Sequence, residues 1–384
     1  MPEKPAQRIK PLFRAAAPQR NAAAAYAELQ VTSNYSFLRG ASHPEELVYR
    51  AAELGLRAVA ITDRHSLAGI VKAHAAAKEA GIPLVIGTAI TLHQTLPQSS
   101  STWRSCTDAT EAQPSAAPES LMPFEVLLYP AGKTAYGRLC RLLSQGKLRS
   151  PKGRCLLTLE DLAHYQQGLF ASVVIRNLRH PRLLAGLESL KSIFDCDRLS
   201  LIVSHTYGPD NNQHLDSLLH LGRLFDIPIA AANDVHYHIP ERRKLQDVLT
   251  CIRRTCTLRE AGFYLFQNAE RCLKPPQEML RLFSSLPQAT RRTCEIADAA
   301  LSFSLDQLIY QYPNEICPAD KTPIQYLTEL VWRGTAERYP QGIPPAVTGQ
   351  IRHELALIEE LHYEKYFLTV YDIVLFARTN SILC

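Results

Sequence analysis

The sequence has 384 residues, of which 46% are hydrophobic and 21% are charged, and its formal net charge is +5. The length fits two domains, or one large α/β barrel with an appended segment, and the apolar fraction is well above that of a disordered chain. Collagen and coiled-coil folds are excluded as overall descriptions, and no apolar run approaches the roughly 20 residues of a membrane-spanning helix. We therefore expect a soluble protein that does not enter a membrane.

The chain begins with a basic segment. Residues 1–25 hold five basic side chains and one acidic side chain, and early prolines interrupt any amphipathic helix. We expect residues 1–25 to form a flexible basic tail.

Short apolar runs then alternate with helical patterns up to about residue 240. Their aliphatic and β-branched residues, bounded by polar residues, glycine or proline, are typical of buried parallel strands. The predicted strands are residues 27–32, 58–62, 83–88, 125–129, 168–175, 199–204 and 228–232, and helical patterns between them cover 44–54, 67–80 and 214–225. The sequence therefore predicts an α/β fold in which residues 26–240 form a seven-stranded βα barrel, with its chemistry at the strand ends.

Two segments within the predicted barrel have unusual compositions. Residues 93–121 are rich in Ser, Thr, Pro and Gln without periodicity, so we expect a disordered surface insertion. Residues 126–159 hold seven basic side chains and no acidic one, which suits either contact with nucleic-acid phosphates or an ordinary solvated face. The candidate nucleic-acid contacts are Arg138, Arg141, Lys147, Arg149, Lys152 and Arg154.

The remaining segment, residues 241–384, is mainly helical. Its helical patterns cover 243–252, 278–282, 289–300, 347–361 and 367–378. The final residues, 381–384, begin an apolar run and then stop. We interpret 241–384 as a helical connector and the start of a further domain, in a chain that is truncated either by cutting or by nature.

The ten cysteines include no Cys-x-x-Cys pair, and the N-terminus lacks the apolar segment of a secretory signal. Reduced thiols fit this pattern best, so we expect a cytoplasmic protein.

Candidate metal ligands lie at two predicted strand ends. Asp234 and His236 are two residues apart, so in extended geometry both point to one face and could bind one metal ion. Asp63 follows another predicted strand. Strand-end Asp and His residues also commonly cap helices or satisfy the backbone, so each motif alone leaves both interpretations open.

The order of several motifs carries a resemblance to a known family. The segments SNYSFLRGASHPEELV (33–48), AVAITDRHSLAG (58–69) and PIAAANDVHYH (228–238), followed by RRKLQDVLTCIR (242–253), resemble the N-terminal part of bacterial error-prone DNA polymerases of the C family, relatives of the DNA polymerase III alpha subunit. The resemblance covers nearly all of residues 26–384. It implies a polymerase-and-histidinol-phosphatase (PHP) domain, which in the family is a distorted seven-stranded βα barrel, followed by the start of the polymerase palm.

The resemblance also implies that most of the PHP metal ligands are lost. Only Asp63, Asp234 and His236 match the family's metal pattern. The positions where a ligand is replaced are Gln30, Thr32, Arg39, Arg64 and Ala89. Because a guanidinium group stays protonated and only donates hydrogen bonds, we hypothesise that Arg39 and Arg64 replace the positive charge of the metal, and we expect no cofactor in the barrel.

The function implied is that of an error-prone DNA polymerase, a nucleotidyltransferase of damage-induced mutagenesis and translesion synthesis. Its substrates would be DNA and deoxynucleotides, with Mg for catalysis, and its partners a sliding clamp and proteins of a mutagenesis complex. No acid before Cys384 matches the family's catalytic carboxylates, so we expect no catalytic residue in this chain and a structural barrel. The alternative is a metal-dependent phosphoesterase or 3′–5′ exonuclease with a reduced metal site.

Overall fold

The computed structural model describes residues 25–94, 121–195, 197–208, 211–309 and 317–383. The chain divides into two compact units, Met1–Gln307 and Leu308–Cys384. Apart from their end residues, the predicted basic tail at 1–25 and the predicted insertion at 93–121 lie outside the described residues. The predicted domain boundaries stay predictions.

The described part of the first unit contains eight strands in two sheets. They are β1 (Ala27–Glu28), β2 (Ala58–Ile61), β3 (Leu84–Ile86), β4 (Thr88–His93), β5 (Leu121–Pro130), β6 (Leu169–Ile175), β7 (Leu199–Ser204) and β8 (Ile229–Ala232). One sheet has the order β1-β2-β3 and is parallel. The other has the order β4-β5-β6-β7-β8, in which β5 runs antiparallel to both of its neighbours. The α/β fold class is thus confirmed.

The predicted set of seven parallel strands is wrong in three respects, the first of which is that β1 ends at Glu28 and not at residue 32. β4 was not predicted as a strand of its own, and β5 is antiparallel and begins four residues earlier than expected. β4 has the sequence TAITLH, and its two threonines and one histidine are residues typical of a loop. All six of its residues are nevertheless buried. In β5 nine of ten residues are buried, so no alternation of polar and apolar residues marks it as antiparallel.

Gly87 separates β3 from β4 within one buried run. A Cβ at Gly87 would lie 2.9 Å from the Tyr129 ring and 3.0 Å from the Thr62 methyl, so only glycine lets the chain pass here. Isolated bridges also link the two sheets. Val31 forms a parallel bridge with Val235, and Arg64 forms one with Ala89.

Nine α-helices lie in the described part of the first unit. They are α1 (Pro44–Glu53), α2 (Ile70–Ala80), α3 (Lys133–Leu148), α4 (Leu159–Tyr165), α5 (Leu183–Ile193), α6 (Asn211–Phe225), α7 (Arg243–Arg254), α8 (Pro276–Leu282) and α9 (Pro287–Ala300). The predicted helices are confirmed within about three residues, and α3, α4 and α5 are additional. α2 ends at Gly81, whose φ of +68° suits glycine, as predicted.

The core of this unit is formed by apolar side chains of the sheets and of the helices that pack on them. Tyr26, Phe124, Phe194 and Phe283 are among its largest fully buried members. Burial of these rings stabilises the fold and fixes the strand ends, from which the polar residues of the candidate site project.

The second unit contains the helices α10 (Pro323–Arg338), α11 (Pro345–Glu360) and α12 (Glu364–Thr379). Leu327 and Leu330 of α10 pack with Leu368 of α12 in a small apolar cluster. Across the described residues, no helix combines the length and the apolar character that crossing a membrane requires.

Candidate functional site

A cavity of about 260 Å³ gathers seven of the eight positions that the sequence analysis connected with metal binding. These positions follow β1, β2 and β8 or lie in β4, so they meet at neighbouring strand ends. The seven are Gln30, Thr32, Arg39, Arg64, Ala89, Asp234 and His236. Positions more than 200 residues apart in the chain therefore share one site, which we call the strand-end cavity.

Asp63, the eighth position, does not line this cavity and is instead buried against the loop of residues 33–40. Its side chain is buried, and its carboxylate accepts hydrogen bonds from the Ser33 backbone N–H (2.8 Å), the Ser33 hydroxyl (2.6 Å) and the Ser36 hydroxyl (2.7 Å). Burial raises the pKa of Asp63, and the serine hydrogen bonds oppose that rise. The carboxylate therefore holds the loop of residues 33–40 and is not among the described lining of the strand-end cavity.

Asp234 lies in the cavity and is held by cationic and amide donors. Arg176 Nη1 lies 2.9 Å from Asp234 Oδ2, and Arg271 Nη1 contacts the same oxygen. Gln30 Nε2 donates to Asp234 Oδ1 over 2.7 Å. The guanidinium groups on this carboxylate belong to two residues that sequence reasoning missed. Arg176 directly follows β6, which is a local signal that it reaches a strand end, whereas nothing in the sequence around Arg271 indicates its role.

His236 is positioned by the backbone of the loop that carries Arg39. Its Nδ1 lies 2.9 Å from the Arg39 carbonyl oxygen, and since a carbonyl only accepts, Nδ1 carries the proton. Its Nε2 lies 3.5 Å from Asp234 Oδ1, and its ring packs on Phe266 with the centroids 5.0 Å apart. The structure therefore brings His236 and Asp234 together, although not through the extended backbone that the sequence suggested, because Asp234 has a φ of +47°.

Positive charge exceeds negative charge around the cavity. Glu125 and Asp234 are the acidic residues of its described lining, whereas the basic ones are Arg39, Arg64, Arg176, Arg253 and Arg254. Arg64 and Arg176 both lie near Glu125, at 3.7 and 3.2 Å. A divalent cation would be repelled by this excess of guanidinium groups.

The residues present do not fit the metal cluster that the resemblance implies for a PHP site. Such a cluster needs several carboxylate and imidazole ligands, but Asp234 is engaged by two guanidinium groups and Asp63 by two serines. In the described ranges, no group of three or more His, Cys, Asp or Glu side chains is arranged to hold a metal ion. The described residues therefore supply no ligand set for a metal-dependent reaction.

A second cavity of about 500 Å³ shares Arg39 and Arg64 with the first. Lys147, Lys152 and Arg154 also line it, so three of the six predicted nucleic-acid contacts come together. We call it the basic cavity.

The other three predicted contacts lie apart from the basic cavity. Arg149 forms a two-pronged ion pair with Asp161, at 2.8 and 3.0 Å, and Arg138 Nη1 donates to the Gln167 carbonyl oxygen at 3.1 Å. Arg141 is exposed on α3. Of the six predicted nucleic-acid contacts, three therefore line the basic cavity and three do not.

Two protein-family models match the chain. Residues 28–192 match the PHP domain, and residues 325–384 match the bacterial DNA polymerase III alpha NTPase domain. The first match contains nine of the 18 described lining residues of the strand-end cavity, and the second covers most of the second compact unit.

Relatives along nearly the whole chain carry the names of error-prone DNA polymerases. The error-prone DNA polymerase of Caulobacter vibrioides is 44% identical over 365 residues, and error-prone DNA polymerase 1 of Agrobacterium fabrum is 42% identical over 359 residues. Each alignment covers 94% of this chain and 30% of the relative, so the chain spans about 30% of the length of these proteins. The resemblance to the error-prone C-family polymerases is thereby confirmed.

Similarity to solved structures is much weaker. An amidohydrolase from Chromobacterium violaceum has 16% sequence identity and a TM-score of 0.36, with 56% of this chain and 88% of that chain covered. A TM-score this low supports no conclusion about function.

Proposed function

We propose that this chain is the N-terminal part of an error-prone DNA polymerase, to which it contributes a PHP barrel and the start of the polymerase domain. The support is similarity to such polymerases over 94% of the chain, with both family matches in that order. The whole protein would be a DNA-directed nucleotidyltransferase that uses DNA, deoxynucleotides and Mg and acts in damage-induced mutagenesis and translesion synthesis. We place its catalytic carboxylates outside residues 1–384.

We further propose that the barrel is structural and holds no cofactor. The observation that carries this proposal is the contact of Asp234 with Arg176 and Arg271, because guanidinium groups stand where a metal ion would have to bind. A barrel stabilised by internal ion pairs can support a polymerase domain without its own catalysis.

The same proposal describes the two sheets as one distorted seven-stranded barrel. β3 and β4 then count as one strand bent at Gly87. The bridge Val31–Val235 would join the outer strands β1 and β8, with the Thr32 N–H donating to the Val235 carbonyl oxygen over 2.8 Å, and the bridge Arg64–Ala89 would continue the pairing of β2 into β4.

The alternative is a metal-dependent phosphoesterase or 3′–5′ exonuclease with a reduced metal site. It is favoured by the distance of 3.5 Å between His236 Nε2 and Asp234 Oδ1, which would let one ion contact both side chains. Metal analysis of the purified, dialysed chain separates the two proposals. We expect much less than about one equivalent of Zn, Mn or Fe per chain, and about one equivalent or more would overturn the structural proposal.

The polymerase proposal has its own test. Extension of a primed template should be absent with residues 1–384 and present with the chain continued through its downstream coding sequence. Primer extension by residues 1–384 alone would show that the catalytic carboxylates lie within these residues, which would contradict the proposal. A sliding clamp or mutagenesis-complex partner and a cytoplasmic location belong to the same proposal. Sequence-independent contact of the six basic residues with nucleic acid is the alternative to a small-molecule ligand at the basic cavity. The resemblance supports the partners and the location, and the basic stretch supports the contact with nucleic acid.

A further inference from the structure

The basic cavity has a lining that combines cations with aromatic rings. Its basic side chains are Arg39, Arg64, Lys147, Lys152 and Arg154, and no Asp or Glu is among its described lining residues. A carboxylate-free lining with five basic side chains, of which Arg64 also lies 3.7 Å from Glu125 of the strand-end cavity, favours a ligand that carries several negative charges.

The histidines of the cavity add no positive charge near neutral pH. Burial lowers the pKa of His65 well below its usual range, and the charges of Arg64, Arg39 and Lys147 lower it further. Burial lowers the pKa of His93 to about 4.

Two aromatic residues on the loop of residues 33–40 complete the lining. Phe37 lines the cavity with 82% of its surface exposed, and Tyr35, two positions earlier in the chain, also lines it. An exposed phenyl ring is unfavourable in water unless it is covered, and it offers a flat face on which a nucleobase can stack.

The loop that carries Phe37 is held firmly. Ser33 and Ser36 are bonded to the buried Asp63, and the Arg39 N–H donates to the Ser36 carbonyl oxygen over 2.8 Å. The backbone of the loop that carries Phe37 and Arg39 is therefore held in place before any ligand binds, which reduces the entropy lost on binding.

We propose that the basic cavity binds a nucleoside polyphosphate, with the phosphates at Arg39, Arg64, Lys147 and Lys152 and the base on Phe37. The volume of about 500 Å³ lies within the roughly 300–1,000 Å³ of small-molecule sites. This site is separate from Asp234 and His236 and needs no metal ion. The inference rests on the charge and shape of the cavity, so it stands whether or not the whole protein is a polymerase.

Calorimetric titration of the 384-residue chain with ATP in the presence of EDTA, at constant ionic strength, tests the proposal. Inorganic tripolyphosphate serves as the second probe, because it has the charge without the base. We expect ATP to bind about tenfold more tightly than tripolyphosphate, which is the contribution of one stacked base.

Three variants assign the binding to the cavity. Phe37→Ala should weaken ATP about tenfold and leave tripolyphosphate unchanged, whereas Lys147→Gln combined with Lys152→Gln should weaken both at least tenfold. All three side chains are exposed, so these variants should fold normally. Lys133→Gln, an exposed lysine of α3 outside both cavities, is the matched control and should change neither affinity.

Three outcomes would overturn the proposal. They are no measurable heat with either probe, ATP binding that the lysine variants leave unchanged, and binding of a thymidine dodecamer that is tighter than ATP and weakened by the same variants. The last result would assign the cavity to a nucleic-acid strand.

Discussion

The Ser36 hydroxyl donates a hydrogen bond to the Asp63 carboxylate over 2.7 Å and accepts one from the Arg64 backbone N–H over 2.8 Å. A carboxylate at the position of a family metal ligand is thus bound to the loop of residues 33–40. Asp63 therefore stabilises the loop that carries Arg39 to the strand-end cavity. The Asp63 side chain is held by these hydrogen bonds and needs no metal ion to keep its conformation.

Replacement of Asp63 by alanine should be strongly destabilising. The Ser33 N–H and two serine hydroxyls would lose their acceptor in a buried place, so we expect a loss of about 3 kcal/mol in the free energy of unfolding. Urea denaturation of Asp63→Ala and of the unmodified chain measures the difference in their free energies of unfolding. The exposed ion-pair residue Asp298, which pairs with Arg57, provides the control, and Asp298→Ala should cost less than about 1 kcal/mol. Equal losses in the two variants would contradict this role of Asp63.

The ion pair between Asp234 and Arg176 should be detectable as energetic coupling. Asp234→Asn removes the carboxylate charge shared by two guanidinium groups, but Arg176 keeps its contact with Glu125 and both arginines are partly exposed, so we expect a loss of about 2 kcal/mol. Adding Arg176→Gln to Asp234→Asn should cost less than Arg176→Gln costs in the unmodified chain. A double-mutant cycle in urea should give a coupling of about 1 kcal/mol, and strict additivity would contradict it.

Sequence patterns predicted much of the fold because most elements carry strong local signals. The aliphatic run of β2 and the glycine stop of α2 are of this kind, and both were placed nearly correctly. β4 carries no such signal, since Thr91 and His93 look like loop residues but are buried by tertiary packing. The direction of β5 likewise depends on its partners and not on its own residues.

The candidate site was predictable where its residues directly follow strands. Asp234 and His236 were found in this way, and the cavity gathers them with the positions following β1 and β2. The pairing of Asp234 with Arg176 joins residues 58 positions apart, so no local spacing encodes it. The serine partners of Asp63 were likewise invisible, because Ser33 and Ser36 belong to a loop whose path only the folded chain defines.

Gly40 should tolerate no side chain. A Cβ there would lie 2.3 Å from the Ser33 carbonyl oxygen and 2.6 Å from the Thr32 carbonyl oxygen, and backbone atoms cannot move aside cheaply. We expect Gly40→Ala to reduce the free energy of unfolding by about 3 kcal/mol. Gly137→Ala in α3 is the matched control, because its Cβ would meet nothing within 4 Å, and it should stabilise the helix by about 1 kcal/mol. Thermal or urea unfolding of both variants measures the two effects, and a neutral Gly40→Ala would contradict the close approach.

Glu28 should make the stability of the first compact unit depend on pH. Its carboxylate is buried, accepts hydrogen bonds from the Tyr26 hydroxyl (2.8 Å) and the Gln30 N–H (3.0 Å), and its pKa is raised to about 7, mainly by desolvation. The folded state therefore binds more protons than the unfolded state between pH 4.5 and about 7, so this group lowers stability as the pH rises through that interval. Glu28→Gln cannot ionise and lacks this effect.

The free energy of unfolding of Glu28→Gln, compared with that of the unmodified chain, should therefore improve by about 3 kcal/mol between about pH 4.5 and about pH 8. Other titrating groups, such as His93, act equally in both proteins and cancel in the difference. Urea denaturation of both proteins across this range gives the difference at each pH. Two parallel pH profiles would show that Glu28 ionises in the folded state as it does in the unfolded state, and the burial of its charge would then have no energetic consequence.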